Sequence, residues 1–144
     1  MTADAEPLLL DTHVWIWAFH GRAERLGRHV PAALDAARRA DRLRLSAVSL
    51  WEAAYAITRG RVPIDGTLDE WLAEAVPAFG GRVRSLDRTV AVESVRLPGS
   101  LHGDPADRWL VATARLTGAR LVTADDRILS YAAQGHVRVL DARP

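Results

Sequence analysis

The chain has 144 residues, of which 49% are hydrophobic and 26% are charged, and its formal net charge is +1. These values are typical of a single folded domain over residues 1–144 and exclude a largely disordered chain, while so small a charge does not by itself predict nucleic-acid binding. The sequence has no cysteine, and all 19 of its Lys and Arg residues are Arg, which excludes disulfides, thiolate metal sites, Schiff-base chemistry and a Walker-A phosphate loop.

Strand-like and helix-like patterns alternate along the chain. Three leucines at 8–10 predict a buried strand, the apolar segment 12–20 predicts a helix, and the Arg-containing segment 21–29 predicts an exposed loop. Thr67 followed by Glu70 predicts a capping box at the start of a helix. The other predicted helices are 31–41, 48–59, 67–79, 87–97, 104–117 and 125–133, and the other predicted strands are 43–47, 82–86, 119–123 and 137–140. This alternation predicts an α/β fold whose parallel sheet is covered by helices on both faces.

Four acidic residues occupy comparable places in this pattern. Asp11 follows the first strand, Glu52 lies one turn into the helix after the second, Asp107 lies in the first turn of helix 104–117, and Asp125 follows strand 119–123. Parallel strands bind ligands beyond their carboxyl ends, so these side chains are expected to lie close together. Gathered carboxylates repel one another unless a cation lies among them, and oxygen ligands suit Mg²⁺ or Mn²⁺. The pattern therefore favours metal-assisted hydrolysis of a phosphodiester.

Most of these acids also have an ordinary structural interpretation. Asp11 could cap the helix that follows it, and Asp104 precedes Pro105 as a helix cap typically does. Asp125 and Asp126 both fit the start of the last helix, which leaves the fourth acid open by one position. We prefer Asp107 to Asp104 as the functional acid because it lies one turn inside its helix.

Glu52 is the most informative of the four. Its helical neighbours are Val48, Tyr55 and Ala56, and a lone carboxylate in such apolar company is costly without a partner. Arg59, two turns further on, could neutralise it. The five histidines show no metal-ligand spacing.

Four ordered segments carry a resemblance to a known family. They are LLLDTH at 8–13, SAVSLWE at 46–52, HGDPADR at 102–108 and LVTAD at 121–125. In this order and spacing they resemble the PIN-domain family, and within it the VapC-type toxins of bacterial toxin–antitoxin pairs. The resemblance implies a three-layer α/β/α sandwich with a parallel sheet of four to five strands, and a Mg²⁺- or Mn²⁺-dependent endoribonuclease.

Carried over residue by residue, the resemblance assigns the catalytic acids to Asp11, Glu52, Asp107 and Asp125. Asp11 and Asp107 are the expected metal ligands, Glu52 and Asp125 are possible ones, and Asp104 is the second choice. His13 and His102 lie beside these motifs, where His102 could orient an acid or bind phosphate.

The resemblance also implies partners. RNA is the expected substrate, with tRNA or ribosomal RNA plausible, and Arg59, Arg61 and Arg108 are the expected phosphate contacts, although each could equally be a solvated surface residue. A VapB-type antitoxin and a homodimer are the expected protein partners. Five tryptophans are hard to bury in one small core, so we expect an exposed apolar patch near Trp15, Trp51 and Tyr55.

Two other classes of function remain open. A Mg²⁺-dependent phosphotransfer domain would also cluster acids at strand ends, but such domains use a Lys near the phosphate and this chain has none. A non-catalytic binding module with the same fold would carry these acids without using them for cleavage. The longest apolar stretches are far below the roughly 18 residues of a membrane span, and the acidic start MTADAE is unlike a signal peptide. We therefore expect a cytoplasmic protein without a membrane association.

Overall fold

The sheet has five parallel strands in the order β3-β2-β1-β4-β5. The computed structural model describes residues 6–101 and 103–144. The strands are β1 Leu8–Leu10, β2 Leu43–Ser46, β3 Arg82–Arg84, β4 Arg120–Thr123 and β5 Val139–Asp141. The chain starts in the middle of the sheet, adds strands on one side and then returns to add two on the other. The strand order therefore reverses between β1 and β4, and this is where an open parallel sheet forms its ligand-binding crevice.

Helices connect these strands and cover both faces. They are α1 Thr12–Phe19, α2 Val30–Arg39, α3 Ala47–Thr58, α4 Leu68–Phe79, α5 Arg88–Val95, α6 Pro105–Thr117 and α7 Asp126–Ala133. All lie within a residue or two of their predicted bounds. The capping box of Thr67 and Glu70 is present at the start of α4, which confirms that prediction.

The core has two apolar layers, one on each side of the sheet. In β1, Leu8 and Leu10 pack against the layer formed mainly by α1, α2 and α4, whereas Leu9 packs against α6 and α7 on the opposite face. Alternation of side chains across a strand explains why consecutive leucines reach opposite layers. A strand buried on both faces needs such a continuous apolar run. The three-layer α/β/α sandwich is confirmed.

Two expectations about exposed segments need correction. The predicted loop 21–29 contains a short 3-10 helix, Ala23–Arg25, and its Leu26 and Gly27 are buried. Gly27 donates its backbone N–H to the Ala142 carbonyl, so the end of the chain covers this segment. Trp15 is fully buried and does not belong to an exposed patch. In the described part of the chain, no helix is long and apolar enough to span a membrane.

Candidate active site

Asp11 lies at the carboxyl end of the central strand and is almost completely buried. Its side chain makes no capping bond to α1, so the interpretation of Asp11 as an ordinary cap is wrong. Instead, its Oδ2 atom accepts a hydrogen bond of 2.7 Å from the Thr123 hydroxyl. Burial raises the pKa of Asp11, the Thr123 hydrogen bond and the charge of His13 lower it, and the charge of Asp125 raises it. Burial is the largest of these effects, so the pKa of Asp11 is raised overall.

Thr123 also holds Asp125. The Thr123 hydroxyl oxygen accepts a hydrogen bond of 3.0 Å from the backbone N–H of Asp125. The Asp125 Oδ1 atom in turn accepts from the backbone N–H groups of Arg127 and Ile128, at 2.9 and 3.1 Å. Asp125 is therefore the cap of α7, as its structural interpretation suggested, while the same turn fixes it beside Asp11.

Asp126 is separated from the site by its ion pair. Its Oδ1 atom lies 3.3 Å from Arg143 Nη1, and its side chain is highly exposed. Of these two neighbouring acids, Asp125 is thus the one whose charge reaches Asp11 and Asp107.

Glu52 is linked to α1 through hydroxyl groups. The Thr12 hydroxyl lies 2.5 Å from Glu52 Oε1 and 2.8 Å from the Ser49 hydroxyl. Burial raises the pKa of Glu52, the Thr12 hydrogen bond lowers it, and the charges of Asp11 and Asp104 raise it. Arg59 does not neutralise Glu52, because its guanidinium lies over the ring of Tyr55.

Asp107 has a strongly raised pKa. Burial, followed by the charges of Asp104, Asp11, Asp125 and Glu52, raises its pKa from 3.8 to about 7. Within residues 6–101 and 103–144, no hydrogen-bond donor or cation pairs with its carboxylate. The charges of the other predicted acids therefore all act on Asp107.

Asp104 lies at the start of α6, where its Oδ1 atom accepts a hydrogen bond of 3.0 Å from the backbone N–H of Ala106. This confirms its interpretation as a helix cap. Among the acids whose charges raise the pKa of Asp107, Asp104 has the largest effect. Asp104 therefore influences the site through its charge, from the start of α6.

The arginines expected near the site divide into two kinds. Arg108 donates from Nε to the Ser94 carbonyl at 2.9 Å and from Nη1 to the Leu101 carbonyl at 3.0 Å. It braces α6 against the end of α5, which favours a structural role over the predicted phosphate contact. Arg59 and Arg61 are exposed and form no ion pair with any other described residue.

Sequence reasoning did not single out the hydroxyls of Thr12, Ser49 and Thr123, which form hydrogen bonds with the acids or with one another. The only available signal was position, since Thr12 directly follows Asp11 and Thr123 precedes Asp125 by two residues. His13 is exposed beside the acids and packs against Trp17, with ring centroids 5.6 Å apart. His102 lies outside the described residues.

The family model for the PIN domain matches residues 8–134. The chain belongs to the PIN-domain family. It is 36% identical over 124 residues to ribonuclease VapC22 of Mycobacterium tuberculosis (strain ATCC 25618 / H37Rv), a match that covers 86% of this chain and 91% of that protein. This similarity supports the prediction that the PIN domain described here is a ribonuclease of the VapC type.

Solved structures give the same fold for this PIN domain. The structure of FitAB bound to an IR36 DNA fragment is 27% identical with a TM-score of 0.64, and the match covers 93% of this chain and 94% of that chain. DNA-bound VapBC from Salmonella typhimurium is 17% identical with a TM-score of 0.67, covering 94% of this chain and 98% of that chain. The second likeness shows the fold alone.

The donor set of this PIN domain suits a hard divalent cation. Among residues 6–101 and 103–144, no three His, Asp or Glu side chains stand close enough together to form a ready-made metal site. Mg²⁺ does not need such a cage, because it usually keeps several waters and binds through one or two carboxylates. No described residue donates a hydrogen bond to Asp107, and burial and four neighbouring acids raise its pKa, so a cation bound there would relieve their repulsion. The residues present therefore fit Mg²⁺ or Mn²⁺.

Proposed function

We propose that this PIN domain is the toxin of a VapBC-type pair and cleaves RNA in a reaction that depends on Mg²⁺ or Mn²⁺. The observation that carries the proposal is the gathering of acids from separate elements around Asp107, where burial and then the charges of these acids raise the pKa of Asp107 to about 7. An uncompensated set of carboxylates is expensive to fold around, and a divalent cation is the simplest ligand that would compensate it. The similarity to ribonuclease VapC22 supports RNA as the substrate.

Asp11 and Asp107 would hold the cation, with Glu52 and Asp125 beside it. When bound, the cation would polarise the scissile phosphate and lower the pKa of a coordinated water. The protein's own part is positioning. Thr123 fixes the Asp11 carboxylate against Asp125, and Thr12 fixes Glu52, so that the acids face the phosphate from different elements.

Arg59 and Arg61 are the phosphate contacts that remain, because both are exposed and unpaired in the described part of the chain. Arginine suits this role because its planar guanidinium can donate two parallel hydrogen bonds to phosphate oxygens. Structured RNA such as tRNA or ribosomal RNA is the proposed target.

The proposed protein partners are an antitoxin and a second copy of the chain. Solved structures with this fold include a toxin–antitoxin complex from Klebsiella pneumoniae and DNA-bound VapBC from Salmonella typhimurium, which supports a VapB-type antitoxin that masks the acids. A basic residue of that antitoxin would compete with the cation for the same carboxylates. The cytoplasm is the proposed location.

RNA cleavage in the presence of Mg²⁺ or Mn²⁺, with an EDTA control, tests the proposal. We expect cleavage by the native chain with either metal, none with EDTA, and a loss of several orders of magnitude in Asp107→Asn. Asp65→Asn, at an exposed loop position, is the matched control and should cleave normally. Cleavage that persists in EDTA would refute the metal dependence. A chain that binds RNA but never cleaves it would instead be a non-catalytic binding module.

A further inference from the structure

The outer face of α3 carries a column of side chains that the acid site does not use. Trp51 and Tyr55 are four residues apart, and their rings are stacked with centroids 5.3 Å apart and planes 25° from parallel. Arg59, four residues further, places its guanidinium 5.0 Å from the Tyr55 ring centroid. We call these three side chains the α3 ladder. By the helical rise of 1.5 Å per residue the ladder is about 12 Å long.

The exposed aromatic rings of the α3 ladder cost the folded protein the free energy that their burial would give. Trp51 is 61% exposed and Tyr55 is 41% exposed, whereas Trp15 is completely buried. Leaving a large aromatic side chain in water forfeits the free energy its burial would give. Trp51 therefore lies on the surface of α3, where its ring packs against Tyr55 and is otherwise largely exposed to solvent.

The side-chain charges at the C-terminal end of α3 are positive. Arg59 and Arg61 make no ion pair with any described residue, and Glu52 is the only acidic residue of α3. Glu52 points instead to Thr12 at the acid site. The ladder therefore begins next to Glu52, at Trp51, and runs along α3 to Arg59, with Arg61 two residues beyond it.

We propose that the α3 ladder binds a single-stranded part of the RNA, stacking an unpaired base on the indole of Trp51 while Arg59 and Arg61 hold the adjoining phosphates. The inference rests on the proposed function, because it takes RNA as the substrate. Exposed aromatic rings combined with unpaired cations are the standard means of gripping single strands, since every base has a face that can stack. The ladder would place the strand so that an adjoining phosphodiester enters the acid site.

Charge complementarity favours a nucleic-acid strand as the occupant of the ladder. Arg59 and Arg61 are exposed and make no ion pair with any described residue. Polyphosphate supplies the opposite charge along its whole length. A nucleic-acid strand is thus the occupant whose charge matches.

Binding without cleavage gives the test. The dissociation constant is measured by fluorescence anisotropy in EDTA, with a labelled short single-stranded RNA of mixed sequence and with the same RNA annealed into a duplex, whose bases are already stacked. The variants are Trp51→Ala and Trp51→Phe, with Val95→Ala as the control because Val95 is 76% exposed on α5. Circular dichroism and sedimentation equilibrium report folding and assembly.

We expect Trp51→Ala to weaken single-strand binding about tenfold, the order of one base–aromatic stack. Duplex binding should stay unchanged, Trp51→Phe should recover most of the affinity, and Val95→Ala should behave as the native chain does. Arg59→Gln should weaken both RNAs and reduce the dependence on salt.

Three results would overturn the inference. The first is that Trp51→Ala binds the single strand as tightly as the native chain does. The second is that Trp51→Ala loses the same affinity for the single strand and for the duplex. The third is that Trp51→Ala has half the native mass in solution, which would make this face an interface between copies. Cleavage of RNA by the native chain is measured separately. If the native chain cleaves RNA and Trp51→Ala binds RNA as the native chain does, only the ladder inference is refuted. If the native chain does not cleave RNA and Trp51→Ala binds the single strand more weakly, only the proposed function is refuted.

Discussion

Replacing Asp107 by Asn should stabilise the metal-free protein at neutral pH while it destroys the metal site. The pKa of Asp107 is raised from 3.8 to about 7, so the folded state holds its proton more tightly than the unfolded state does. Between these two pH values the folded chain binds more protons than the unfolded chain, and its stability therefore falls as the pH rises. That stability is fully present below about pH 4 and is lost by the time the pH passes about 7.

The size of the effect follows from the same values. A rise of about 3 pH units corresponds to roughly 4 kcal/mol at 1.36 kcal/mol per unit. The Asp107 side chain is partly exposed, so water screens the repulsion and we expect about 1 to 2 kcal/mol to be measured. Asparagine keeps the shape of the side chain and carries no charge, so Asp107→Asn should escape this loss.

Urea unfolding of the metal-free proteins at about pH 4 and about pH 8 measures the difference. The native chain and Asp107→Asn should be nearly equal in free energy of unfolding at the lower pH, and the variant should be more stable at the higher one. Adding Mn²⁺ at the higher pH should then stabilise the native chain, by about 2.7 kcal/mol at a hundred times its dissociation constant, and leave the variant unchanged.

Asp65→Asn is the control for the loss of one negative charge at an exposed position. If Asp107→Asn lost stability with rising pH as steeply as the native chain, the repulsion among the acids would not involve Asp107. If Asp65→Asn gained as much as Asp107→Asn, the gain would come from net charge and the local argument would fail.

Three further predictions concern the same site. Asp11→Asn should keep the fold, with metal-free stability unchanged or higher because repulsion is relieved, and should abolish RNA cleavage; cleavage at saturating metal would count against Asp11 as a ligand. Thr123→Val should cost about 1 to 3 kcal/mol in urea unfolding and lower cleavage, because it strips hydrogen bonds from Asp11 and from the Asp125 N–H; Thr123→Ser should restore both, and an unaffected valine variant would mean that the hydroxyl positions nothing. Mn²⁺ binding near pH 7 should release protons from Asp107, so the calorimetric heat should vary with the ionisation enthalpy of the buffer, and heats that are equal in all buffers would contradict it.

The fold could be predicted almost completely from the sequence. Its first strand is a short apolar run that ends at Asp11, and α4 begins at the clear cap Thr67, so local pattern and tertiary structure agree there. The exception is the segment 21–29. Its charged residues predict exposure, yet Leu26 and Gly27 are buried because the distant Ala142 packs onto them, and no local pattern reports a contact made by the other end of the chain.

The acids of the site could also be predicted, but their supports could not. Strand ends place Asp11 and Asp125 near each other by topology alone. Which hydroxyl meets which carboxylate depends on side-chain geometry, so Thr123 looked like any strand residue. The same limit applies to Arg108, whose guanidinium was expected at the phosphate and instead binds two backbone carbonyls.

The threonine hydroxyls lower the pKa values of some acids of the site and not of others. Thr123 and Thr12 each lower the pKa of the acid they touch, which opposes the effect of burial on Asp11 and Glu52. Asp107 has no such donor among the described residues, and its pKa is left near neutrality. The threonine hydroxyls therefore reduce the effect of burial on Asp11 and Glu52, whose pKa values still lie above their ordinary range. No described residue does the same for Asp107, which must lose its proton when a cation binds. A site built this way avoids holding every charge at once in the metal-free protein and still presents a fully ionised set of ligands when metal binds.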